Sequence, residues 1–186
     1  MPDVSRLSSA PVPPPSADDH VRGPDDAPLV IEYADFECPY CAALSLRLDE
    51  HRLRRVFRHF PVQSSHPRAW PAACAAEAAG LQGRFWEMHD LLFADQGRLE
   101  DPHLWHRATD LGLELERFDA DRRSDAVRAR VRRHFESGIR GGVVTTPTLF
   151  AGDAAYTGEI DAETLAGFDL PRPGERMAMP SNDKGR

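Results

Sequence analysis

PLVIEYADFECPYC, residues 28–41, runs from a short apolar segment into two cysteines separated by a proline and a tyrosine. Its first half, PLVIEYA, is rich in β-branched and aromatic residues, is bounded by Pro28 and the acidic DFE, and reads as a buried strand. After Cys41 the run AALSLRLDEHRL turns helical, with Leu44 and Leu48 four apart, and RRVFRHF (residues 54–60) is strand-like again until Pro61. Strand, helix, strand is a unit that calls for parallel pairing and a right-handed crossover. The cysteine pair then falls where the first strand hands over to the helix.

That position bears on chemistry. A helix N-terminus presents unpaired backbone N–H groups and the positive end of the dipole, so a thiol at Cys38 is favoured as thiolate. Pro39 suits the first helical turn, where its fixed φ and missing N–H cost nothing. Cys41, one turn on, faces the same side and is better shielded. Thiol–disulfide exchange needs this asymmetry: an exposed sulfur of low pKa to attack, and a second to displace the partner. Helix-N-terminal CxxC thiols titrate at about 3.5–7.5 against about 8.5 for free cysteine. Asp35 and Glu37 push the other way, which leaves a direction, lowered, and no value. Three other uses compete. A structural zinc needs four ligands, and there is no second CxxC or HxxxH, His51 and His59 being eight apart. A structural disulfide across two residues removes little chain entropy. Two inert buried cysteines remain as the third, weakened by the proline and the strand-to-helix position.

Composition sets the outer bounds. The 186 residues are 41% hydrophobic and 28% charged, enough for one domain with a core. A net charge of −7 gives no general attraction for nucleic acid or an anionic membrane, so neither is expected as a partner. No window approaches about 18 consecutive apolar residues, and the first residues lack the basic and apolar regions of a signal peptide. A cytoplasmic location is the expectation, and there a CxxC pair is reactive or metal-binding more often than a staple. Oligomeric state has no marker in the sequence.

Residues 1–27 are rich in Pro, Ser, Asp and Ala and read as a disordered lead, and residues 171–186 as a flexible tail. The domain is expected over 28–170, with a helical insertion at about 66–140. Within the insertion, PAACAAEAAGLQG is Ala-rich and RFWEMHDLLF follows. DPHLWHRATDLG opens with Asp101 as N-cap and Pro102 at the first helical position, and a last helix after Ser124 puts Val127, Val131 and Phe135 on one stripe before Gly141 and Gly142. TPTLFAGDAAYTG reads as a hairpin turning at Gly152 and Asp153, and DAETLAGF as a short closing helix. The order is βαβ, helical insert, ββα, with no internal repeat.

These residues carry a resemblance to the DsbA-like branch of the thioredoxin superfamily, over about residues 19–168. It rests on HVRGPDDAPLVIEYADFECPYC, RHFPV, QGRFWEMHDLLF, LGLELERF and GVVTTPTLFAGDAAYTGEID, which together are far more specific than a lone CxxC. The resemblance implies an α/β thioredoxin-like fold, βαβ and ββα around a central sheet, with an inserted helical subdomain. It implies an oxidoreductase that exchanges a Cys38–Cys41 disulfide with protein thiols or disulfides and a further redox partner, without metal or organic cofactor. Pro147 matches the family's cis-proline, which packs against the sulfurs and leaves the preceding backbone to pair with substrate. Read without the family, it is a proline starting a strand. Thr146 matches the residue that tunes potential and substrate release, and Thr145 stands where a glycine is commoner. Glu32 matches a buried acid of the family six residues before the first cysteine, and a raised carboxyl beside the buried thiol could shuttle its proton. A carboxylate on an apolar run is odd in itself, and its other reading is a solvated face or an answering arginine. Pro39 and Tyr40 form the dipeptide that glutaredoxins commonly carry.

Exported members oxidise, whereas a cytoplasmic chain would be kept reduced and would reduce or isomerise. A second reading is a redox-sensing or binding module without turnover, since similar domains occur fused to sodium/proton antiporters. A glutathione-dependent isomerase is disfavoured, because that group usually has serine at the first cysteine. Elsewhere, Cys74 reads as an inert buried thiol and His66 as a helix-start residue. Phe85, Trp86, Met88, Leu91 and Leu92 read as core. The arginines of HRLRRVFRH and RARVRR read as a solvated face, with attraction of acidic partners as the alternative.

Overall fold

A computed structural model of the chain describes residues 11–168. Five strands, β1 (His20–Arg22), β2 (Leu29–Ala34), β3 (Arg54–His59), β4 (Thr148–Ala151) and β5 (Ala154–Thr157), form one sheet in the order β1-β3-β2-β4-β5. β2 and β3 are parallel, with Glu32 opposite Phe57, and the other neighbours are antiparallel. Helix α1 (Pro39–Leu48) links the parallel pair. The insert comprises α2 (Ala69–Gly80), α3 (Phe85–Ala94), α4 (Asp101–Asp110), α5 (Leu115–Asp121) and α6 (Asp125–Arg140), and α7 (Ala162–Ala166) closes the chain. The α/β thioredoxin-like arrangement with an inserted helical subdomain is therefore the fold observed.

Residues Val30 to Ala34 of β2 are all buried, as a central strand covered on both faces must be. Val30 packs with Leu44 and Leu48 of α1 and Leu165 of α7. Ile31 and Tyr33 pack with Val56, Phe60 and Phe150, and α6 closes that side. There the helix comes so near that a Cβ on Gly138 would stand 2.7 Å from Phe60 Cδ2 and 2.9 Å from Tyr33 Cδ1. Tyr33 OH and Ser137 Oγ hydrogen-bond at 2.9 Å beside this contact. Phe85, Met88 and Leu92 of α3 are buried with Cys41 and Phe57 in the largest apolar cluster. Among the described residues no helix is long and apolar enough to cross a membrane.

Three expectations need correction. The lead is not disordered up to residue 27, because β1 lies within it and Asp19 answers the buried Arg58 at 2.9 Å through two hydrogen bonds. The Pro13 and Pro14 carbonyls accept from the same guanidinium at 2.8 and 3.1 Å, so polar contacts hold a segment poor in apolar side chains. Residues 1–10 of that lead and the tail from 171 lie outside the described residues. Arg55 and Arg58 are buried and not on a solvated face, each held by a carboxylate. The N-cap of α4 is Glu100, which places Asp101 in the first turn. Helix α5 was not foreseen. Ser124, by contrast, caps α6 as expected, its side chain accepting from the Val127 N–H.

Candidate active site at the β2–α1 junction

Cys38 is the last extended residue before α1, with φ −80° and ψ 119°, and Pro39 opens the helix. The Cys38 carbonyl accepts from the N–H of Cys41 at 3.1 Å and of Ala42 at 3.3 Å, which sets the first turn. Cys38 Sγ lies 3.4 Å from the Thr146 carbonyl oxygen, and the Thr146–Pro147 peptide bond is cis. Two segments more than a hundred residues apart thus meet at one sulfur. Cys38 is less open than expected, at 3% exposure, because the Thr146 loop lies against it. Tyr40 beside it is 66% exposed.

All three cysteines are free thiols. The Cys41 thiol donates a hydrogen bond to the Cys38 sulfur, and this, with help from the Thr146 side chain and the Cys41 and Tyr40 N–H groups, outweighs burial and holds Cys38 at about 6. Burial pushes Cys41 well above the usual thiol range, and its bond to Cys38 and the charge there push the same way. The Asp35 N–H, 3.5 Å from Cys41 Sγ, opposes this weakly. Two sulfurs three residues apart are therefore driven in opposite directions.

Asp35 and Glu37, expected to oppose the thiolate, have other tasks. Asp35 accepts from the N–H of Glu37 and of Val62, both at 2.8 Å, and from His66 Nδ1 at 2.9 Å. His66 lies ahead of α2, whose N-cap is Arg68, so it does not start that helix; it helps fix the turn that carries the cysteines. Glu37 accepts from the Arg68 backbone N–H at 2.7 Å and from Arg68 Nε at 2.8 Å. The Gln96 amide donates to the carbonyls of Phe36 and Cys38, both at 2.8 Å. No spacing in the sequence marks Gln96 or Arg68, since each reaches the turn from a distant element.

Glu32 is fully buried, which excludes the solvated face, and an arginine does answer it. Arg55 answers it, with Nε 2.7 Å from Oε2, yet burial still raises its pKa above the ordinary carboxylate range. Arg55 also donates to Ser45 Oγ and His89 Nε2, each at 3.2 Å, while His89 Nδ1 donates to Asp90 at 2.8 Å. The charge of Glu32 is felt at Cys41, where it raises the thiol.

Cys74 is buried on α2, and burial pushes its thiol up to about 11. A second polar cluster joins His59, Glu77 and His134, whose ligand-type atoms lie within 4.8 Å of one another. Glu77 already accepts from His59 at 2.8 Å and His20 at 3.1 Å and faces Arg130 Nε at 3.1 Å, so its charge is met without an ion.

A family model described as Thioredoxin matches residues 16–168. The thiol-disulfide exchange protein alpha-DsbA2 from Wolbachia pipientis superposes with a TM-score of 0.73 at 18% identity, over 81% of this chain and 85% of that one. A thioredoxin-like oxidoreductase from Silicibacter pomeroyi gives 0.72 at 25% identity, over 82% and 90%. In sequence, the chain is 45% identical over 156 residues to the Na(+)/H(+) antiporter NhaA 1 of Mycolicibacterium gilvum, covering 79% of this chain and 25% of the antiporter. The chain spans about a quarter of the length of the curated relatives it matches.

Proposed function

Because the chain belongs to the thioredoxin family, with a DsbA-like fold, we propose that it is a protein thiol–disulfide oxidoreductase acting through Cys38 and Cys41. The observation that carries this is the opposed pair of thiols, Cys38 drawn down to about 6 and Cys41 raised, at a helix N-terminus against the Thr146 carbonyl.

In the reducing direction the Cys38 thiolate attacks one sulfur of a substrate disulfide, forming a mixed disulfide and expelling the other sulfur as thiolate. Cys41 then loses its proton and attacks Cys38 Sγ, which releases the second substrate thiolate and leaves a Cys38–Cys41 disulfide. A redox partner returns the pair to dithiol, and oxidation of a substrate dithiol is the same sequence reversed. Glu32 takes the Cys41 proton, since its raised pKa brings it nearer to neutrality than an ordinary carboxylate. The Cys38 thiol donates to the Thr146 carbonyl only while it is protonated, and Tyr40 offers substrate an exposed ring beside the sulfur. In the cytoplasm the pair is kept as dithiol, which favours reduction or isomerisation.

Substitution Cys41→Ser tests the reading. It should accumulate mixed disulfides between Cys38 and protein substrates, resolved by dithiothreitol and absent from Cys38→Ser. The intact chain should catalyse reduction of insulin by dithiothreitol, and neither trapping nor turnover would overturn the proposal. The similarity to antiporters over a quarter of their length favours a second reading, a redox-sensing module that forms the disulfide without turnover. Trapping with no turnover would select it.

A further inference from the structure

A cavity of about 440 Å³ opens between α2, the start of α4 and the first turns of α6. Trp70, Pro71 and Cys74 supply its apolar lining, and Arg128 and Arg132, one helical turn apart, reach it from α6. Arg122, Arg123 and Asp101 complete it. The charges there do not balance internally. Asp101 engages Arg122 at 2.8 Å and Arg123 at 3.5 Å. Asp119, just outside, engages the same two at 2.7 and 2.6 Å, so two carboxylates neutralise two guanidinium groups. Arg128 and Arg132 form no ion pair or hydrogen bond among the described residues. Most other described arginines, in a chain of net charge −7, have found a carboxylate or a carbonyl.

We propose that this cavity binds a small dianion carried on a flat or apolar body, of the class of a phosphate monoester. Two uncompensated guanidinium groups match two negative charges, and their forked donors suit phosphate oxygens. The half-buried ring of Trp70, with Pro71, gives an apolar wall for the body of the ligand. The volume falls in the range of small-molecule sites, about 300–1,000 Å³. Cys74 adds no negative charge, because its buried thiol keeps its proton at neutral pH. The cavity is thus an anion site and not a second exchange centre. The sequence reading of RARVRR as a solvated face holds for Arg128, Arg132 and Arg133, all exposed, and not for Arg130, which is half-buried and faces Glu77 at 3.1 Å.

The test uses the full chain at low ionic strength, titrated calorimetrically with adenosine monophosphate, adenosine and inorganic phosphate. Adenosine monophosphate should saturate, with adenosine and phosphate each at least tenfold weaker. Arg128→Gln combined with Arg132→Gln should weaken it a further tenfold or more and leave the melting temperature and the Cys38 titration unchanged, since both side chains are exposed and outside the thiol site. Absence of saturation up to about 10 mM, or affinity indifferent to the double substitution, would overturn the proposal. Equal affinity for phosphate and for the nucleotide, or for adenosine and for the nucleotide, would overturn it as well.

Discussion

Replacing Thr146 with valine removes one hydroxyl and keeps the β-branched shape, so the loop and the carbonyl that faces Cys38 Sγ at 3.4 Å should stay in place. The Thr146 side chain is one of the groups that hold Cys38 at about 6. A hydrogen bond to an ion contributes about 1.5–3 kcal/mol, and part of that survives as substituted contacts from Cys41 and the helix N–H groups, so a rise of about one pKa unit is expected. The sign follows from linkage. A depressed thiol pKa stabilises the reduced protein above pH 6 and stops doing so as pH falls through it. At pH 7 a thiol at 6 rather than 9 favours the reduced form by about 1.4 kcal/mol, or about 30 mV towards the oxidising side. Moving the thiol to about 7 withdraws roughly 1 kcal/mol of this, so the potential should fall by about 20 mV.

The assay is the pH profile of Cys38 alkylation by iodoacetamide, with the redox equilibrium against glutathione measured in parallel. Near pH 5.5 the thiolate population should drop about eightfold in the variant, and near pH 8 the two proteins should be nearly alike. Cys74 stays silent, being buried with its thiol up at about 11. A midpoint that remains at the wild-type value, with an unchanged potential, would refute the role given to the hydroxyl and leave the sulfur's acidity to Cys41 and the helix alone.

Glu32→Leu leaves the buried Arg55 with only the half-exposed Asp49, 3.5 Å away, as counter-charge and should cost about 3 kcal/mol in urea unfolding, whereas the double change with Arg55→Leu should cost less than the single one. Gly138→Ala should destabilise by about 1–3 kcal/mol, since its Cβ would stand 2.7 Å from Phe60, with the Cys38 titration unmoved; no loss of stability would contradict the packing of α6 on the sheet. His89 and His134, both pushed down to about 3 by burial, are neutral in the fold and take up protons on unfolding. Each should therefore remove about 1.4 kcal/mol of stability per pH unit from about 6 down towards 3, and a urea midpoint flat over that window would contradict their burial.

How much of this was legible in the sequence depended on the distance over which each residue finds its partner. The strand-to-helix handover at Cys38, the cap at Ser124 and the hairpin at Gly152 are local, so their spacing and residue types suffice. Helix α5 and the three residues of β1 carry too few side chains for a periodic signal, and β1 exists because β3 offers it an edge. The arginines mark the sharper limit. HRLRRVFRH has the composition of a solvated face, yet Arg55 meets Glu32 from 23 residues earlier and Arg58 meets Asp19 from 39 residues earlier. A charged side chain on a strand is exposed or buried according to whether a counter-charge waits on the neighbouring element, and no window around the arginine contains that information. The reverse inference was available from the acids. Glu32 stood out because it interrupted an apolar run, and a carboxylate in that position must either shed its charge or find a cation. β3 runs parallel to β2 with Arg55 beside Val30 and Phe57 beside Glu32, so the strand pairing implied by the βαβ pattern brings the candidate cation to it.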